Sequence, residues 1–131
     1  MGTRSLTRVF DEHTGQALCC LYGQYDGFPD SHGKELAELL TTLKMVNGLG
    51  DRSVPVANGA GCLAAQIVAH FKDQVGAGGF YLYPIDSAPE EYNYEVRPQG
   101  AGKPVLLKVL SGTEVEWEGE AQNFLVWLEN T

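Results

Sequence analysis

The sequence lacks any apolar run long enough to cross a bilayer. Its longest nearly apolar stretch, Gly61 to Phe71, is interrupted by Gln66 and His70 and falls well short of the ~20 residues a spanning helix needs. The opening MGTRSLTRVF holds no apolar core of signal-peptide length, so a cytoplasmic location is expected and no membrane partner. Cysteine is scarce. The three thiols, Cys19, Cys20 and Cys62, form no C-x-x-C pair and have no histidine at zinc-ligand spacing, so no metal centre and no cofactor are expected. Cys19 and Cys20 are adjacent on an expected strand and point to opposite faces, which disfavours a bridge between them. Positive charge is also thin. Nine basic residues stand against seventeen acidic ones, a net charge of −8. Residues 1–85 carry −2 of this and residues 86–131 carry −6. Without a run of Lys or Arg the chain cannot neutralise a phosphate backbone, which excludes nucleic acid as a partner. No repeat, low-complexity segment or linker divides the 131 residues, so 1–131 reads as a single domain.

What is present has ordinary globular proportions, 44% hydrophobic and 20% charged. SLTRVF (5–10) and ALCCLYGQY (17–25) read as a hairpin across a polar turn, the second strand apolar on both faces. Leu36, Ala37, Leu39, Leu40, Leu43 and Val46 fall at helical spacing and predict a helix over 32–46, stopped by Asn47-Gly48. Residues 47–61 read as loop, 61–73 as a deeply packed helix ended by Gly76, Gly78 and Gly79, and FYLYPI (80–85) as a strand. Tyr92, Tyr94 and Val96 alternate with polar residues; PQGAGK (98–103) turns the chain, and PVLLKVL and EVEWE follow as strands, with Val115 and Trp117 facing inward. The chain closes with a short helix over 120–129. The order is β-β-α-α-β-β-β-β-α, an α+β domain with a mainly antiparallel sheet, two central helices and a short C-terminal one.

Two glycine-rich segments lead into helices. In the first, Gln24, Tyr25, Asp26, Gly27, His32 and Gly33 belong to a loop between a strand and a helix start, where free N–H groups can hold an anion. The second, Asn58, Gly59 and Gly61, precedes Cys62. Either segment could serve turn geometry alone; if the two helix starts converge, they make a donor-lined pocket. The first fits no Walker or dinucleotide fingerprint. Cys62, at a helix start, is a candidate nucleophile. His70 lies two turns away, roughly 12 Å along the axis, so its base would have to be His32 or His13. Cys62, Gln66 and His70 form a polar stripe that either satisfies buried backbone or lines a ligand pocket. Six tyrosines, in near-pairs on strands, either pack or stack a planar ring.

The segments MGTRSLT, GQYDGFP-x-x-HG, NGAGCLAAQIVAHFK and GFYLYP resemble a family of small bacterial and phage proteins, across about residues 1–96. The resemblance implies no activity; a phage origin would suit a protein that sequesters a ligand against host defence. The expected function is a non-enzymatic domain that binds a small anionic molecule such as a nucleotide. The alternatives are a cysteine-dependent hydrolase built on Cys62 and His32, or a structural, protein-binding or homo-oligomeric module.

Overall fold

The computed structural model describes residues 2–48, 54–73 and 79–131. Strands β1 (Ser5–Phe10) and β2 (Ala17–Gly23) form the expected hairpin, with Ser5 opposite Gly23. A turn of π-helix, Pro29–Gly33, runs directly into α1 (Lys34–Thr42). Short strands β3 (Lys44–Val46) and β4 (Val56–Asn58) pair in parallel, and α2 (Gly59–Phe71) follows β4 without a break. Then come β5 (Phe80–Leu82), β6 (Tyr92–Arg97), β7 (Leu106–Ser111), β8 (Glu114–Glu120) and α3 (Ala121–Glu129). The main sheet has six strands in the order β5-β2-β1-β6-β7-β8, antiparallel except for the central β1–β6 pair.

The helices lie on one face of this sheet, as a half-buried α+β sheet requires. Thr7, Val9, Leu21, Tyr94, Val96, Leu107 and Val109 point to that face and are almost fully buried. Against the apolar ones pack Leu36, Ala37 and Leu40 of α1, Leu63, Ile67 and Phe71 of α2, and Ala121 and Phe124 of α3. Leu6, Cys20 and Tyr22 form a smaller cluster on the opposite face. There Arg8, Glu95, Lys108 and Glu118 are successive cross-strand partners, a ladder of alternating sign. Opposite charges facing each other across strands stabilise the register.

Two expectations need correction. The helix read through Val46 ends at Thr42, and Leu43 is already extended. Met45 is buried against the core by strand pairing with Ala57, a contact made across residues read as loop. Val115 does not face inward. A register irregularity sets Val109 opposite Trp117 but Leu110 opposite Val115, and Val115 is exposed. The glycines Gly76 and Gly78, read as ending the second helix, lie outside the described residues.

Candidate functional site

The first glycine-rich loop is a packed strap. The Gly27 N–H donates to Thr3 O at 2.9 Å, and the Tyr94 hydroxyl donates to Gly27 O at 2.7 Å. A Cβ on Gly27 would sit 2.8 Å from Ser5 Cβ, and one on Gly33 would sit 3.0 Å from the Tyr94 ring. The N–H groups of Ser31 and Gly33 both donate to Phe28 O, and that of His32 to Asp26 O. Donors that would face an anion are therefore committed inside the loop. Gln24, Tyr25 and Asp26 are exposed, the last with φ 58°. His32 is buried; its Nε2 shares a hydrogen bond with Thr7 Oγ1 at 2.8 Å, and its ring lies 4.5 Å from Phe71 and 5.0 Å from Tyr94. Burial lowers its pKa to about 4, so the ring is neutral at pH 7. Burial likewise pushes the Tyr94 hydroxyl far up, which leaves it a donor.

The polar stripe on α2 is a set of internal ties. Gln66 Nε2 donates to Val56 O at 2.8 Å and lies 3.3 Å from Cys62 Sγ, fastening the helix to β4. Exposed His70 meets Glu35 Oε2 of α1 at 2.9 Å. Gly59 takes φ 81°, and a Cβ on Gly59 or Gly61 would meet nothing within 4 Å. The pairing of Cys62 with His32 is not assembled. His32 packs beside Phe71, nine residues on from Cys62, roughly 14 Å along the helix. The strand thiols are no better nucleophiles, since burial raises the pKa of both Cys19 and Cys20.

The two glycine-rich segments do not converge. The first closes over the start of β1, at Thr3 and Ser5. α2 arrives there with its C-terminus, Phe71, while its start lies toward the β1–β2 turn: Asn58 and Gly59 line a cavity of about 380 Å³ with Glu12 and His13. α3 begins at this same far end, because Glu120 stands opposite Leu106 and Leu106 opposite Arg97, the last residue of β6. The helix starts that share an end are those of α2 and α3.

Two cavities occupy that far end. The larger, about 410 Å³, lies between the end of α1 and the start of α3. Among the described residues Lys44 and Lys103 line it and no Asp or Glu does; the first turn of α3 carries no acidic side chain, but Glu120 stands at its N-cap and accepts from Nε2 of the lining Gln122 at 3.4 Å. Thr41 and Thr42 also line it, though their hydroxyls donate back to Glu38 O of α1. The smaller cavity adjoins it: Met45 lines both, and the turn over 99–103 supplies Gln99, Gly100 and Ala101 to one and Gly102 and Lys103 to the other. In it the Glu12 side chain is 15% exposed, and its Oε2 is buried with no hydrogen-bond partner. A third concavity, between α2 and β5, is apolar, lined by Cys19, Ala64, Ala65, Val68, Ala69 and Leu82. Among the described residues no group of three or more His, Cys, Asp or Glu side chains is placed to hold a metal.

Of the residues singled out from sequence, His13, Asn58 and Gly59 reach this end and border the smaller cavity; Gln24, Tyr25, Asp26, Gly27, His32, Gly33, Gly61, Cys62, Gln66 and His70 border neither. Lys44, Lys103 and Glu12 were not singled out. The available signal was PQGAGK, a second kind of glycine-rich segment ending in a cation, read only as a turn. No family model, curated protein or solved structure matches this chain, so function rests on the site itself.

Proposed function

We propose that this domain binds a small anionic molecule and does not transform it, in the cavity between the end of α1 and the start of α3. The observation that carries the reading is the pairing of Lys44 with Lys103 in one cavity of about 410 Å³ whose lining, among the described residues, holds no carboxylate, in a chain of net charge −8. Against such a negative background, two lysines lining one cavity create a local positive field. The α3 start adds the partial positive charge of a helix N-terminus, reduced by the Glu120 carboxylate at its N-cap and with its first N–H donated to Val105 O. A binding role is favoured over hydrolysis because the Cys62 sulfur faces the Gln66 amide and His32 is held at the other end of α2.

The test is isothermal titration with inorganic phosphate and nucleoside monophosphates on the intact chain and on Lys44→Glu/Lys103→Glu. The intact chain is expected to bind, and the doubly substituted one, folded by circular dichroism, to lose at least tenfold in affinity. Equal affinity in a folded double variant would overturn the reading.

A further inference from the structure

We propose that the ligand is a guanine nucleotide, its phosphate at Lys44 and Lys103 and its base in the adjoining cavity, where Glu12 accepts the N–H groups of the guanine edge. The inference rests on the anion reading and adds to it the identity of the base.

The two cavities are neighbours by construction. Met45 lines both, and the Gly102 N–H donates to Met45 O at 2.9 Å, fixing the 99–103 turn against β3. They differ in chemistry. One presents lysines; the other presents Glu12 together with the carboxamide residues Asn47, Asn58 and Gln99. Two of these carboxamides already have partners, since Asn58 Oδ1 accepts the Gly48 N–H at 2.8 Å and Gln99 Nε2 donates to Pro104 O at 2.7 Å.

Glu12 does not. Its Oε2 is buried without a donor, and its Oε1 has only the His13 ring, 3.8 Å away on a side chain 84% exposed. A buried acceptor left without a donor is costly and calls for one. A carboxyl group offers two adjacent acceptor oxygens, and guanine presents two adjacent donors, N1–H and the 2-amino group; to bond the buried Oε2 the base has to shift the 99–103 turn, where a Cβ at Gly100 would lie 3.8 Å from that oxygen. Hypoxanthine keeps only the first. Adenine places its amino group beside an acceptor nitrogen, which would face a carboxyl oxygen. A pocket that hydrogen-bonds a donor discriminates strongly against ligands that lack it. The net ligand is thus anionic at one end and donor-rich at the other, as the two linings require.

The experiment titrates GMP, IMP, AMP and inorganic phosphate into the intact chain and into Glu12→Gln, a change of nearly equal shape. GMP is expected to bind at least tenfold more tightly than IMP or AMP. Glu12→Gln should reduce GMP to the IMP level and leave phosphate binding within twofold. AMP binding as tightly as GMP, or an undiminished GMP preference in Glu12→Gln, would overturn the base assignment while leaving the anion reading intact. Binding of neither phosphate nor any nucleotide by the intact chain would overturn the anion reading itself. The comparison of ligands on the intact chain keeps the proposal falsifiable even if Glu12→Gln fails to fold.

Discussion

The two ends of the main sheet use glycine and polar side chains in opposite ways. At the end where β1 begins, Gly27 and Gly33 are small because Ser5, Tyr94 and Phe124 leave no room for a Cβ, and His32 is sealed among aromatic rings. At the end where α2 and α3 begin, Gly59, Gly61 and Gly102 face open space, and Lys44, Lys103 and Glu12 line cavities. A glycine-rich helix entry is thus not one kind of feature. Where backbone donors are taken up within the loop and a Cβ would clash, the glycines serve packing. Where the space is empty, Gly59 and Gly102 serve a left-handed backbone, φ 81° and 76°, that side chains rarely adopt.

The sharpest way to break this contrast is a matched pair of substitutions. Gly27→Val forces side-chain atoms into Ser5 Cβ and Thr3 O, 2.8 and 2.9 Å from the Cβ position, and is expected to destabilise by about 3 kcal/mol or more. In Gly61→Val the added Cβ meets nothing within 4 Å, and the change is expected to stay within about 0.5 kcal/mol, since valine is no worse than glycine in a helix. Urea melts on both variants check the pair; equal losses would erase the distinction between the ends.

The closed end also predicts a pH dependence that the open end lacks. His32 has a pKa of about 4 when folded, against about 6.5 for an unperturbed imidazole. Below pH 6.5 the unfolded chain binds a proton that the folded chain refuses. The contribution of the neutral ring is therefore complete above pH 6.5 and is lost as the pH falls toward 4. The loss amounts to about 3 kcal/mol over that window. In His32→Gln, which cannot titrate, the slope of stability against pH over this window should flatten accordingly. An unchanged slope would mean that His32 is not shielded from water.

How much of this was legible in the sequence divides along the same line. Short-range patterns gave the hairpin, α2, the outer strands and α3, because alternation and helical spacing are set by near neighbours. Long-range pairing decided the rest. Leu43 and Val46 fit a helix by spacing, yet β3 forms because Val56–Asn58 lies alongside it. Val115 alternates correctly with Trp117, but the irregularity opposite Val109 turns it outward. His32, Gly27 and Gly33 stood out as chemically distinctive, and in the fold that distinctiveness is steric. Lys44 and Lys103 are far apart in the chain and ordinary in their local context; only the fold sets them in one cavity.

Within the open end, the lysines separate affinity from stability. Lys103→Ala removes one of the two cations that line the cavity among the described residues and is expected to weaken phosphate binding about fivefold, near 1 kcal/mol. It should change the urea midpoint little, as surface substitutions away from packed features do. Salt provides a second check: the affinity of the intact chain should fall as ionic strength rises from 0.05 to about 0.5 M, because the screening length contracts from above 10 Å to a few ångströms. Binding that ignores both the substitution and the salt would shift the ligand away from the lysines.

The smallest effect belongs to His70, which belongs to neither end's chemistry. Sequence spacing placed it on a stripe with Cys62 and Gln66, where burial would have made its loss costly. In the fold its side chain is 39% exposed and pairs with Glu35, itself 57% exposed, across α1 and α2. A pair this open is screened by water and gains little beyond what it loses in side-chain freedom. His70→Ala is therefore expected to cost within about 0.5 kcal/mol, and to leave phosphate and nucleotide affinity unchanged because His70 lines neither cavity. Glu35→Ala should cost as little, and the double variant no more than the sum of the two, since the coupling across an exposed pair is small. Urea melts on the three variants measure that coupling. A loss above 1 kcal/mol for His70→Ala alone would show that the ring holds α1 against α2 more firmly than an exposed ion pair does. A tenfold loss of ligand affinity would move the binding site from the far end of the sheet to the helix pair.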